Sequence, residues 1–217
     1  MGGTGGAGGT GGVGAMGGTG GTGGTGGSAG AGGGRPGVFE SQKMRVCFKG
    51  AYRLRLDLAR LLELPPEEVC RELGVFDCIN VVHGISLGGV DAYYANIYKP
   101  AEGTSISAPL IVERLALSAC IRRFELDQDL APDAAGLFQL AATGGDRLAD
   151  PDAPAVTEAV QRLFQQLLHR DATADELAGI IGLYRDVESD PDTQSPVRDW
   201  SVLSCTALLT SVEYLFY

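Results

Sequence analysis

The chain has 217 residues and a formal net charge of −10. That balance argues against a nucleic-acid backbone as partner, which takes clustered Lys and Arg to neutralise, and against attraction to anionic lipid. No run approaches the ~18 consecutive apolar residues of a spanning helix, so no transmembrane segment is expected.

Residues 1–34 read almost unbroken in glycine triplets from Gly2 and contain no ionisable side chain. Glycine loses the most backbone freedom on ordering, and nothing in the tail offsets that loss. A non-globular, low-complexity tether is therefore expected. Collagen is ruled out because no Pro precedes Pro36. Two glycines per triplet also permit bundled polyproline-II-like strands, which keeps a filament or matrix subunit, self-assembled through the tail, as an alternative. Met1-Gly2-Gly3 lacks the basic and apolar regions of a signal peptide. Gly6 stands where a myristoylation start takes Ser or Thr. In bacteria, Gly/Thr/Ser-rich stretches of this kind often follow the lipidated cysteine of an exported lipoprotein. The expected setting is thus the cell envelope or the extracellular space, with the signal upstream of Met1.

From about Arg35 the composition becomes that of one acidic, mainly helical domain, residues 35–217. A leading segment, 37–50, alternates apolar Met44, Val46 and Phe48. Residues 52–63 place Leu54, Leu58, Leu61 and Leu62 at helical spacing. Pro65-Pro66 should open a short second helix, with Glu67 and Glu68 in its first turn and Gly74 closing it. Residues 75–109 form an irregular Gly/Tyr-rich excursion, long enough to carry function. Its Tyr93, Tyr94 and Tyr98 are a candidate contact surface; alternatively they cover the core.

Clearer helices follow. Residues 110–126 set Ile111, Leu115, Ala119 and Ile121 against a polar side with Arg114, Arg122 and Arg123. Residues 155–168 carry an apolar stripe at Val156, Val160, Leu163, Phe164 and Leu167. Thr173 and Glu176 have the spacing of a capping box, opening a helix with Leu177, Ile180, Ile181 and Tyr184. An acidic loop, 186–192, leads to Ser195-Pro196, a cap followed by Pro at the first helical position. The last helix, 197–214, is apolar nearly all round and should be central.

Five cysteines are present, Cys47, Cys70, Cys78, Cys120 and Cys205, none spaced C-x-x-C. They read either as small buried residues or as one or two disulfides of an exported protein with a leftover thiol. Cys70 and Cys78 are the closest pair and the candidate bridge.

Gly84-Ile85-Ser86-Leu87-Gly88 matches the G-x-S-x-G turn of serine hydrolases, with Ile79-Asn80-Val81-Val82 as the strand before it. The one downstream histidine is His169. A hydrolase using Ser86 and His169 is therefore the enzymatic alternative, although no strand–helix alternation surrounds the motif. His83 and Cys78 have no second pair at zinc spacing. Asp186, Glu188, Asp190 and Asp192 alternate as in the start of a calcium loop, but Pro191 takes the place of its turn glycine and Val197 that of its closing carboxylate. Thr143-Gly144-Gly145-Asp146 lacks the Lys of a phosphate loop. No metal or cofactor is expected.

The stretch Leu163 to Leu177, then Trp200, then Leu208-Leu209-Thr210-Ser211-Val212-Glu213-Tyr214-Leu215-Phe216, resembles the closing helices of large exported proteins of unknown function. These are abundant in planctomycetes and myxobacteria, and some carry cytochrome c modules. In their pattern Pro stands where Ala172 is, Asn at Thr210 and Phe at Tyr214. The resemblance covers about 55 residues and implies an exported setting and no catalytic residue. The resemblance does not extend to residues 35–150. Together these features point to a non-catalytic, surface-tethered binding or assembly module, with a protein or cell-envelope partner.

Overall fold

In a computed structural model, residues 47–100, 105–143 and 145–216 are described. The chain divides into Met1–Lys43 and Met44–Tyr217. The tail, Met44, Val46, Gly103 and Gly144 lie outside the described residues.

The second unit is mainly helical. Its elements are α1 (Ala51–Leu61), a hairpin of β1 (Arg71–Glu72) and β2 (Phe76–Asp77), a π-helical turn (Cys78–Val82), α2 (Ala108–Gln128), a 3-10 turn (Ala141–Thr143), α3 (Pro154–Leu168), α4 (Ala174–Ser189), α5 (Pro196–Leu209) and α6 (Val212–Leu215). α2 lies along α5, and α5 also carries α3 and α4. The spacing of the apolar residues explains this. Ile111, Leu115 and Ala119 of α2 are buried together with Val112, Ala116 and Cys120. All five stripe residues of α3 are buried. Trp200 of α5 donates its Nε1–H to the Ile180 carbonyl at 2.8 Å. Its ring meets the edge of Tyr184, with centroids 5.7 Å apart, which pins α5 to α4.

α4 starts as its sequence predicts. The Thr173 Oγ1 accepts from the Glu176 N–H at 3.3 Å, and the Glu176 carboxylate accepts from the Thr173 N–H at 2.8 Å. Arg170 forks onto both Glu176 and Glu213, which joins the α4 start to α6. This guanidinium, with the Thr173 N–H behind it, holds the Glu176 carboxyl down to about 2. Thr173→Ala should lower stability by about 1 kcal/mol, read as a shift in urea midpoint. An unchanged midpoint would show that the box contributes nothing beyond the packing of α4.

Four expectations need correction. Pro65-Pro66 open a single turn, Glu68 N–H to Pro65 carbonyl at 2.8 Å, and no helix follows. The chain must instead enter the hairpin, in which Arg71 pairs with Asp77 and Glu72 with Phe76. Gly74 is a hairpin residue at φ 71 after Leu73 at φ 53, a positive-φ pair of the type tight hairpin turns require. The last helix is two helices. α5 ends at Leu209, and the Ser211 hydroxyl accepts from the Tyr214 N–H to start α6. Ser195 precedes a Pro at the first helical position but makes no side-chain cap; the Asp146 carbonyl takes the Val197 N–H instead. Arg123, expected on a polar face, is 6% exposed and paired with Asp127, itself 0% exposed. The Asp127 carboxylate also accepts from the N–H groups of Gly136, Leu137 and Phe138 at 2.8–3.0 Å. It therefore holds the loop after α2 onto the core.

Near the start of the described chain, Phe48 forms an antiparallel bridge with Phe216. The Lys49 ammonium lies 3.7 Å over the Tyr214 ring and 3.1 Å from Asp57.

Candidate functional site

The excursion at 75–109 is built from short, locally fastened turns. Cys70 and Cys78, the pair singled out by proximity, stand at disulfide distance across the base of the hairpin, with Cα atoms 5.5 Å apart. The Asp77 side chain accepts from the Ile79 and Asn80 N–H groups at 2.9 and 2.8 Å and so caps the π-helical turn. Burial raises the Asp77 pKa, but the Asn80 and Ile79 N–H groups and Arg55 outweigh it and hold the carboxyl below its usual range. Cys78 and Ile79 are buried and anchor the turn; Val81 and Val82 remain exposed. The strand expected at 79–82 is thus a helical turn. The reason is local, because a capping Asp directly precedes it.

Residues 84–88 form a tight turn with no helix after them. Its glycines have backbone reasons. Gly88 sits at φ 84, and a Cβ at Gly84 would stand 3.0 Å from the Ile79 carbonyl. At Gly89 a Cβ would stand 2.6 Å from the Gly84 oxygen. These contacts account for the G-x-S-x-G pattern without a nucleophile. Ser86 is half-buried, and its carbonyl accepts from the Ser105 hydroxyl at 2.8 Å. His169 is the left-handed C-cap of α3, at φ 57. It lines a cleft of about 250 Å³ with Lys49, Arg53, Asp57, Arg60 and Tyr214, and Ser86 is not among the cleft's residues. The strand–turn–helix context that a hydrolase needs is absent around Ser86.

His83 faces the hairpin. Its Nε2 lies 2.7 Å from Glu72, which also takes Arg114 at 3.0 Å. These contacts tie hairpin, turn and α2 together. Beyond them, Asp91 accepts from the Tyr93 and Tyr94 N–H groups at 3.1 and 2.9 Å, and Asp91 bridges Ile97. Tyr93, Tyr94 and Tyr98 project from this loop at 94, 94 and 72% exposure. They do not cover the core.

The acidic alternation does not converge. Asp186 and Glu188 belong to the last turns of α4, where a two-residue step turns side chains to different faces. Glu188 accepts from Tyr184 and Arg147, and Asp190 accepts from the Asp192 N–H. Among the described residues no group of three His, Cys, Asp or Glu is placed to hold a metal, and no helix is long and apolar enough to cross a membrane.

The sequence allowed a second disulfide and a leftover thiol but did not name the second pair. Cys120 of α2 and Cys205 of α5 are fully buried at disulfide distance, with Cα atoms 6.0 Å apart. Cys47 is a free, exposed cysteine.

No protein-family model, curated protein or solved structure matches this chain.

Proposed function

We propose that this chain is an exported, non-catalytic binding or assembly module, tethered to the cell envelope through its glycine tail. One observation carries the reading. Most of the large apolar side chains left exposed among the described residues fall within 73–110, on turns fastened by Cys70–Cys78, Asp77 and Asp91. Exposed apolar side chains concentrated in one stretch of chain fit an interaction site. Two cysteine pairs at disulfide distance fit an oxidising compartment. The likeness of the closing helices to those of exported proteins agrees with it.

The test places a photo-reactive benzoylphenylalanine in the full chain in its host, at Tyr94 and, as a control, at exposed Leu203 on α5. Adducts with an envelope component from position 94, and none from 203, are expected. Equal adducts from both positions, or none from 94, would refute the reading.

A further inference from the structure

The two cysteine pairs stand in opposite surroundings. Cys120 of α2 and Cys205 of α5 are both fully buried where these helices pack. Cys78 is fully buried as well, but its partner Cys70 is only half-buried. Cys70 lines a cleft of about 240 Å³ with Arg71, Glu72, Leu73, Arg114 and Ser118. It is thus the one bridged cysteine open to a reagent in solution.

The charges around the cleft suit an anionic reagent. Within it two guanidiniums, Arg71 and Arg114, face one carboxylate. That carboxylate, Glu72, is taken by both Arg114 and His83. Arg71 gives its Nε–H to the Glu67 carbonyl, which leaves its charge without a carboxylate. On the adjoining surface Glu68 and Glu125 both pair with Arg122. Asp77 is held by the N–H groups of its own turn and lies 3.9 Å from Arg55. Glu67 and Glu113 are exposed nearby but do not line the cleft. A thiolate, the form of a thiol that attacks a disulfide, therefore meets no repulsion there, although the whole chain carries −10.

We propose that Cys70–Cys78 is a reversible exchange site for a dithiol reductant, while Cys120–Cys205 is a permanent brace. One thiolate of the dithiol attacks the Cys70 Sγ. The bond between the two cysteines breaks, and Cys78 leaves with the electron pair and takes up a proton, since burial favours the neutral thiol. The dithiol's second thiolate then attacks the sulfur joined to Cys70, and Cys70 is released and protonated. The bridge has gained two electrons and two protons, and the dithiol has become a disulfide. A monothiol would stall at the mixed disulfide, because Cys78 stays opposite Cys70 across the hairpin base and attacks back. Opening the bridge leaves the hairpin with two residue pairs and the links of Glu72 to His83 and Arg114. A lone hairpin is marginal in water, so reduction loosens the segment that carries exposed Leu73, Val75 and Phe76. Neither the tether nor the partner proposed above is needed for this exchange.

The experiment treats the full, folded chain with dithiothreitol and no denaturant. Samples are quenched in time, alkylated with a maleimide and mapped by peptide mass, with free Cys47 as the internal standard. Cys70 and Cys78 should be labelled together, at least about a hundredfold faster than Cys120 and Cys205, whose attack must wait for the core to open. Oxidised dithiothreitol should close the bridge again. Amide exchange on the partly reduced protein should quicken across 71–83, with α2 and α5 still protected. Similar rates for the two pairs, or no labelling of Cys70 before urea is added, would overturn the proposal. So would a bridge that does not close again, or amide exchange across 71–83 that reduction leaves unchanged.

Discussion

Asp127→Ala is expected to lower folding stability by about 3–5 kcal/mol, because it leaves the buried Arg123 guanidinium without its carboxylate. It also strips the N–H groups of Gly136, Leu137 and Phe138 of their acceptor. Each buried group left unsatisfied carries a desolvation penalty of about 1–3 kcal/mol. The pH dependence gives a second readout. Burial raises the Asp127 pKa, but Arg123 and the three N–H groups outweigh it, so the folded carboxyl titrates below its usual range. A lowered folded pKa means stability that is present above the unfolded value, about 3.9, and lost as pH falls through the folded one. Asp57, Asp77, Glu176 and Glu213 are lowered as well, so wild type and variant both weaken in acid. The difference between them, measured by urea unfolding from pH 7 to pH 3, should shrink as acid is added. A constant difference would show that the carboxylate's charge plays no part.

The two cysteine pairs should differ in worth. Cys120–Cys205 closes a loop of 85 residues and Cys70–Cys78 one of 8. If a bridge acts by restricting the unfolded chain, the first contributes about 4.5 kcal/mol and the second about 2.5 kcal/mol. Domains of this size have about 5–15 kcal/mol in total. Cys120→Ala/Cys205→Ala should therefore remove much of the stability, and Cys70→Ala/Cys78→Ala distinctly less. The second variant should instead loosen the face, seen as faster amide exchange across 73–98 with α2 and α5 still protected. Equal urea midpoints for the two variants would contradict this ranking.

What could be read from sequence was what residues a few positions apart decide. Thr173 and Glu176 form their box within one turn, and the α3 stripe buries as spaced. The nearness of Cys70 to Cys78 was likewise legible. Cys120–Cys205 was not, because only the packing of α2 on α5 brings them together. Arg123 and Asp127 look like a surface i,i+4 pair; a loop returning at 136–138 buries them. Pro65-Pro66 carried a helix-start signal that the hairpin overrode. The tyrosine loop was visible as a composition shift, but its exposure was not, since the same residues could have faced inward. The G-x-S-x-G pattern shows the converse: backbone approach explains its glycines better than chemistry does.

Central to the proposed function is that the domain works outside the reducing cytosol with both bridges closed. Counting reactive thiols with a polyethylene-glycol maleimide, on protein denatured directly from host cells, tests it most simply. One reactive cysteine, Cys47, is predicted without reductant and all five after reduction. Five reactive cysteines without reductant would contradict an oxidised domain.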